Sequence, residues 1–236
     1  MLIEIDRIDF KLKNPVEIDI SNILKNKIKN NWDLFIKDKK DYWDGDIYTI
    51  TKVDLKSYIL EVGKCKYSSL IYAKQNKDLT IRSLFSSILL KTKDSKYIIV
   101  KNNHNYLNII GGLADKTDFC NNNEFSPDLC IRREVLEEIG IDLCNLKQVL
   151  NYQMKYLKIP ENNENYYPIG ILYVGELNYT SEEFNRYIKD KKFDNEIKEY
   201  YYYNKEECMK LELTDPDNSY VKELILLEND DKTNKK

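Results

Sequence analysis

Three glutamates stand close together in the middle of the chain, at positions 134, 137 and 138. On a helix, spacings of three and four residues bring side chains onto one face, so Glu134, Glu137 and Glu138 would lie side by side. Their like charges repel one another there, and a bound divalent cation would turn that repulsion into attraction. Oxygen ligands suit Mg²⁺, with Mn²⁺ as a second candidate. An acidic helix face turned to solvent is the competing interpretation.

The residues around the glutamates mark a helix with clear ends. Ser126 is a good N-cap, Pro127 suits the first helical position, and Gly140 suits the left-handed position that follows a helix. An apolar stripe at helical spacing is formed by Ile131, Val135 and Ile139. We therefore expect a helix that packs on a sheet and leaves its glutamate face open.

The nine residues that begin at Arg133 resemble the second half of the Nudix box. That box is usually written G-x5-E-x7-R-E-U-x-E-E-x-G-U, where U is a bulky apolar residue, and every specified position of its second half is matched. Gly111 and Gly112 follow a predicted strand, as the family's glycine turn does. However, 20 residues separate Gly112 from Arg133 where the pattern has 13. Counting back from the box therefore does not place the upstream glutamate, and Asp115 and Glu124 are both candidates.

The resemblance implies a metal-dependent hydrolase of nucleoside diphosphate derivatives. It makes Glu134, Glu137 and Glu138 metal ligands, with the Gly112 carbonyl as a further ligand. Arg133 would orient the carboxylates through a salt bridge, as a group just outside the ligand shell does. Catalysis would then depend on Glu137, Glu138 and Arg133.

Many members of the family also use a carboxylate from a distal loop as a base or an extra ligand. Glu196, just before a predicted strand, is the preferred candidate here, and Glu164 is the second.

The implied fold is α/β, a Nudix α/β/α sandwich with a mixed sheet, preceded by a small α/β domain.

The elements that must position the box follow from apolar runs and turn residues. Strands are predicted at 84–92, 97–101, 107–110, 146–157, 169–177 and 197–203, and helices at 181–191, 205–211 and 220–228. Ahead of them, residues 1–78 are predicted to form the small domain, with a helix that begins at Ser21 and strands at 47–53 and 58–63. The hydrolase domain would cover 79–228, and 229–236 would be a flexible tail.

Trp32 and the aromatic segment 42–48 resemble the front of a divergent Nudix group that includes the animal UDP-glucose pyrophosphatase. The lengthened loop before Arg133 agrees with that group. A UDP-sugar, cleaved to UMP and a sugar 1-phosphate, is therefore the expected substrate, with Trp43, Tyr48 and Gly111 in contact with it. Large aromatic residues more often seal a core, and that interpretation stays open for all three aromatic side chains, Trp32, Trp43 and Tyr48.

Two other functions remain open. Some Nudix branches with long insertions cleave ADP-ribose, dinucleotides or RNA caps. A non-catalytic nucleotide sensor is an alternative of another class, although a sensor would not need all three glutamates.

Composition excludes several kinds of site and partner. The chain carries 37 basic and 40 acidic residues, a net charge of −3, so no strong field draws in nucleic acid or an anionic membrane. His104 is the only histidine, and the five cysteines form no C-x-x-C pair, which argues against histidine-pair and zinc sites. No apolar run is long enough for a membrane span, and residues 1–10 are too charged for a signal peptide. We expect a cytoplasmic protein with a small-molecule partner and leave its oligomeric state open.

Overall fold

The computed structural model describes residues 1–5, 13–37, 42–57, 59–120, 124–159, 166–189, 191, 196–212 and 220–230. Glu164 and the last six residues of the predicted tail, 231–236, lie outside this part. Within it, no helix is both long and apolar enough to cross a membrane.

The described residues between 13 and 75 form a small three-stranded sheet with two helices beside it. In chain order the first elements of the chain are β1 (Leu2–Glu4), β2 (Lys13–Glu17), α1 (Asn22–Phe35), β3 (Asp46–Asp54), β4 (Ile59–Lys66) and α2 (Tyr67–Gln75). The strand order is β2-β4-β3, with β2 parallel and β3 antiparallel to β4. The predicted N-cap of α1 is confirmed, because the Ser21 Oγ accepts a hydrogen bond from the Leu24 N–H at 3.4 Å.

Helix α2 has no counterpart among the predicted elements. Residues 68–73 are all buried, so this helix has no polar face and its sequence shows no helical period. Strand β1 belongs to the other, larger sheet, where it pairs with residues 156–158. Tyr48 and Leu60 of the small sheet share one buried cluster with the glutamate-bearing helix. The division into domains at residue 78 stays a prediction.

The described residues after position 83 supply seven strands, which form a mixed sheet of eight strands together with β1. Its elements are β5 (Leu84–Lys91), β6 (Tyr97–Asn102), β7 (Leu107–Asn108), β8 (Ile110–Leu113), a short 3₁₀ helix (Lys116–Asp118), α3 (Pro127–Ile139), β9 (Val149–Lys158), β10 (Ile169–Leu177), α4 (Ser181–Lys189), β11 (Ile197–Tyr203), α5 (Lys205–Lys210) and α6 (Tyr220–Asp230). The order is β1-β9-β10-β5-β6-β11, with β7 on β6 and β8 on β5. Only the β5–β10 pair is parallel among these strands.

Helices cover both faces of this sheet. One face buries the apolar side of α3 and the α4 residues Phe184 and Ile188. The other face buries Cys208 of α5 together with Tyr220 and Leu224 of α6. The predicted α/β fold, an α/β/α sandwich with a mixed sheet, is therefore confirmed.

Two predicted strands differ in detail from the structure. The strand expected at 107–110 is divided at Ile109, because its first part pairs with β6 and its second part with β5. The strand expected from Leu146 begins at Val149, since backbone hydrogen bonds from Asn145 to Asp142 and from Gln148 to Asn145 close two turns before it. Both ends of α3 lie where the sequence predicts them, at Ser126 and Gly140.

Candidate functional site

The glutamate face of α3 forms one wall of an open cleft of about 780 Å³. Gly112, at the end of β8, and Glu196, just before β11, line the same cleft. The structure thus brings together the predicted glutamates, the second glycine of the turn and the preferred distal carboxylate.

Two of the three glutamates are buried. Glu134 is 7% exposed and Glu138 is 8% exposed, whereas Glu137 is turned to solvent. Burial, followed by the charges of neighbouring carboxylates, raises the pKa of Glu134 to about 7 and that of Glu138 to about 9. The interpretation of this face as solvated is therefore wrong for Glu134 and Glu138, which need a positive charge nearby in order to ionise.

Arg133 supplies part of that charge. Its Nη1 donates to Glu134 Oε1 at 2.7 Å and to Glu137 Oε2 at 3.0 Å. Its Nε and Nη2 bind the two carboxylate oxygens of Asp118 at 3.0 and 2.9 Å. Burial alone would lower the pKa of Arg133, but the hydrogen bonds to Asp118 and the charge of Glu134 raise it. Arg133 is thus a fixed cation between the glutamates and Asp118.

Asp118 is the residue that the sequence analysis missed. Its side chain is 1% exposed, and both of its carboxylate oxygens accept hydrogen bonds from the guanidinium of Arg133. It stands six positions after Gly112, which is the spacing of the upstream acid in the Nudix pattern. Counting forward from Gly112 would have found it. The seven extra residues therefore follow Asp118, since 14 residues separate it from Arg133 where the pattern has seven.

The two earlier candidates for the upstream acid lie elsewhere. Asp115 lines the cleft but caps the 3₁₀ helix, where its Oδ1 accepts from the Thr117 N–H at 3.0 Å. Glu124 is exposed at the base of the inserted loop, beside the bridge between Phe119 and Phe125. Neither side chain has a hydrogen bond to Arg133 among those that the described residues show.

The two glycines let the backbone approach the carboxylates. The Gly111 N–H donates to Glu138 Oε2 at 3.3 Å, and Gly111 has a φ of 150°, where a side chain would collide with the Ser86 carbonyl. A Cβ at Gly112 would overlap the Glu134 carboxylate. The Gly112 carbonyl accepts a weak hydrogen bond from the Cys130 thiol at 3.9 Å. Gly111 contacts Glu138 but is not among the residues that line the cleft, and its predicted contact with substrate stays a prediction.

Glu196 stands 58 residues after Glu138 in the sequence. It is exposed on the cleft, and its negative charge is among the causes that raise the pKa of Glu134 and Glu138. The residue just before β11 therefore adds a fourth carboxylate to the cleft that the glutamates of α3 line.

Two tyrosines hold the carboxyl end of α3. The Tyr200 hydroxyl of β11 donates to the Glu138 carbonyl at 2.8 Å, and the Tyr187 hydroxyl of α4 donates to the Gly140 carbonyl at 2.6 Å. The last carbonyls of a helix have no partner within it, so these bonds complete the helix end. Tyr200 also ties the strand that follows Glu196 to the helix that carries Glu138.

We expect Tyr200→Phe to lower the free energy of unfolding by about 1 to 2 kcal/mol, because it leaves the Glu138 carbonyl without its donor. Urea denaturation followed by circular dichroism measures the change. Tyr106→Phe is the matched control, since Tyr106 is 39% exposed and lies between β6 and β7. Equal stability of the Tyr200 variant and the wild type would show that the hydroxyl does not hold the helix end.

The predicted aromatic residues take different places. Tyr48 is buried and its ring lies 4.4 Å from that of Phe119, and Trp32 is buried between α1 and α2. These two side chains seal the core, as the alternative interpretation expects, and Tyr48 does not line the cleft. Trp43 does line it, together with Tyr42 and Tyr67.

The possible metal ligands of the cleft suit a hard divalent cation, because Glu134, Glu137, Glu138 and Glu196 all offer carboxylate oxygens. Two of these carboxyls are buried side by side, where a cation would restore their ionised form. As the described side chains stand, no three acidic, thiol or imidazole groups are arranged to enclose a metal ion. Arg133 occupies the space between Glu134 and Glu137 instead.

Comparisons with known proteins give the following. No protein-family model matches the sequence, and a search of curated proteins finds no match. Among solved structures, the chain is similar to DR0079 from Deinococcus radiodurans, with 13% identity, a TM-score of 0.48, and coverage of 77% of this chain and 97% of that one. It is similar to a Nudix hydrolase from Nitrosomonas europaea, with 15% identity, a TM-score of 0.41, and coverage of 63% and 88%. It is also similar to an ADP-ribose pyrophosphatase from Streptococcus suis, with 17% identity, a TM-score of 0.38, and coverage of 63% and 91%. At these values the fold assignment rests on the sheet order and the helices described above.

Proposed function

We propose that this chain is a Nudix-type hydrolase that uses Mg²⁺ or Mn²⁺ to cleave a nucleoside diphosphate linked to another group. The observation that carries the proposal is the buried pair Glu134 and Glu138, which lies in an open cleft beside Gly112, Glu137 and Glu196. Burying two adjacent carboxyls costs free energy, and a purely structural helix would gain by apolar residues at these positions.

Each residue has a role in this proposal. Glu134, Glu137 and Glu138 would hold the metal, and the Gly112 carbonyl would be a further ligand. Bound there, Mg²⁺ or Mn²⁺ would supply the positive charge that offsets the diphosphate oxygens and acidifies an attacking water. Arg133 sets the direction of Glu134 and Glu137 through its two hydrogen bonds to them.

Glu196 is the proposed base. It lines the cleft. Among the described residues that line the cleft with it, Arg133 is the only cationic side chain. An exposed carboxylate in that position is placed to accept a proton from an attacking water.

The proposed substrate is a UDP-sugar such as UDP-glucose, cleaved to UMP and a sugar 1-phosphate in the cytoplasm. The resemblance of Trp32 and segment 42–48 to the UDP-glucose pyrophosphatase group supports it, as does the extended loop after Asp118. The cleft, at about 780 Å³, falls in the size range of small-molecule sites. ADP-ribose, a dinucleotide or a capped RNA end is the alternative substrate, and a nucleotide sensor is the alternative of another class.

One panel tests these choices. The purified full-length protein with Mg²⁺ should hydrolyse UDP-hexoses with a higher kcat/KM than ADP-ribose, a dinucleotide or capped RNA, and excess EDTA should stop the reaction because all donors are oxygens. Phosphate-product assays and chromatography measure the rates. A higher kcat/KM for ADP-ribose than for every UDP-sugar would reject the substrate but keep the hydrolase. Full turnover in EDTA would reject metal dependence, and nucleotide binding without turnover would favour the sensor.

A further inference from the structure

The cleft has a second wall that is aromatic instead of acidic. It comes from the segment before β3 and from the start of α2, and Tyr42, Trp43 and Tyr67 line it. Trp43 is 71% exposed, whereas Trp32, the other tryptophan of the chain, is 9% exposed. A large indole left in contact with water at the wall of a cleft is a feature that a ligand can cover.

Tyr42 and Tyr67 are already engaged with other rings. Their own rings stack at 6.5 Å, Tyr42 meets Phe35 edge-on at 5.1 Å, and Tyr67 meets Trp32 edge-on at 6.2 Å. Trp43 has no ring partner among the described residues. It is therefore the aromatic side chain of this wall that is placed to receive a further planar ring.

Gly45 gives Trp43 its position. A Cβ at residue 45 would occupy the same space as the six-membered part of the indole, so the ring lies directly against the glycine backbone. The turn itself is fixed to the start of α2. The Gly45 carbonyl accepts from the Tyr67 N–H at 2.8 Å, and Asp44 Oδ1 accepts from the Ser68 N–H at 2.7 Å. The indole thus rests on a held segment of main chain.

We propose that Trp43, supported by Gly45, is the surface on which the purine or pyrimidine base of a bound nucleotide stacks. The proposal rests on the proposed function in one respect, that the ligand is a nucleotide whose phosphates face the glutamates of α3. The acidic wall repels anions unless a cation is present, whereas the aromatic wall carries a flat apolar ring that stacks on any base. The segment before β3, and not the Nudix box, then binds the base.

Intrinsic fluorescence tests this directly, because the chain has two tryptophans and only Trp43 lies on the cleft. The full-length protein with Mg²⁺ is titrated with UMP, with AMP and with ribose 5-phosphate, none of which contains a diphosphate to cleave. We expect both nucleotides to quench the fluorescence and ribose 5-phosphate, which lacks a base, to leave it unchanged. Trp43→Phe should remove the quenching, and Trp32→Phe, the matched control, should keep it.

Two further variants measure the contribution to binding. Trp43→Leu should weaken nucleotide binding, measured by calorimetry, by about 10-fold or more, the usual range for loss of one base–aromatic stack. Gly45→Ala should weaken it in the same direction, because it displaces the indole without altering its chemistry. Circular dichroism confirms that each variant is folded.

The outcomes separate this proposal from the proposed function. Equal quenching in Trp43→Phe and the wild type, or equal quenching by ribose 5-phosphate and UMP, would overturn base stacking on Trp43 even if UDP-sugars are hydrolysed. Base-dependent quenching at Trp43 in a protein that hydrolyses no compound of the panel would keep the base site and reject the hydrolase.

Discussion

Replacement of Glu138 by glutamine should lower kcat by more than about 100-fold and leave the metal-free protein as stable as the wild type. The expected loss is larger than the roughly 10- to 100-fold that follows when a group outside the ligand shell is removed. Glutamine keeps the size and shape of the side chain but cannot supply the negative charge that a metal ligand of this kind contributes.

The expected stability follows from the burial of Glu138. Burial, with the nearby charge of Glu134, raises the pKa of Glu138 to about 9, so the carboxyl is protonated at pH 7 in the absence of metal. Glutamine has the shape of that neutral carboxyl, and its Oε1 can still accept from the Gly111 N–H. Denaturation in EDTA at pH 7 should therefore give the same free energy of unfolding for the variant and the wild type.

Glu182→Gln is the matched control for this variant. Glu182 is an exposed glutamate in the first turn of α4 and does not line the cleft. Its replacement should change neither kcat nor stability. If Glu138→Gln instead unfolds the protein, or keeps full activity when folded, Glu138 is a structural residue and the assignment of the metal site fails.

Asp118→Asn should have the second largest effect, and it should damage both stability and activity. Asp118 is buried and holds Arg133 through two hydrogen bonds, so its neutralisation removes one of the charged partners of the guanidinium. The remaining partners are Glu134, Glu137, the Leu113 carbonyl and the Cys130 thiol. Breaking one partner of a buried ion pair typically costs about 3 to 5 kcal/mol. We expect a loss of about 3 kcal/mol in the free energy of unfolding, since Arg133 remains partly exposed.

Activity should fall because Arg133, no longer fixed by Asp118, can shift and thereby change the direction in which it holds Glu134 and Glu137. A loss of about 10- to 100-fold in kcat is the usual effect of such a change outside the ligand shell. Asp118→Glu, which restores the charge and the residue type of the Nudix pattern, should recover part of both losses.

The two earlier candidates for the upstream acid serve as controls. Asp115→Asn should cost about 1 kcal/mol at most in the free energy of unfolding, through the weaker cap of the 3₁₀ helix, and Glu124→Gln should leave kcat unchanged because Glu124 does not line the cleft. Urea denaturation and steady-state kinetics on all four variants show which of the three acids supports Arg133. If Glu124→Gln abolishes activity while Asp118→Asn is stable and active, the acid of the box is Glu124, and the contacts of Arg133 with Asp118 have no functional part.

The sequence by itself determined the glutamate-bearing helix α3. Its cap at Ser126, its end at Gly140 and the shared face of its three glutamates depend on residues within a few positions of one another. Interactions between residues so close in the sequence can be predicted from the sequence alone. The same holds for strands whose apolar runs are bounded by turn residues. Helix α2 was not predicted because residues 68–73 are all buried, which removes the period that marks a surface helix.

The tertiary structure alone decided which of the marked residues meet and which are buried. Packing of α3 on the sheet buries Glu134 and Glu138, and the path of β11 brings Glu196 to them from 58 residues away. The fold of the small sheet buries Tyr48 and leaves Trp43 on the cleft, although both belong to one aromatic segment. Burial of a side chain depends on which surfaces pack over it. Those surfaces come from distant parts of the sequence, and a local sequence pattern does not show that these parts meet in space.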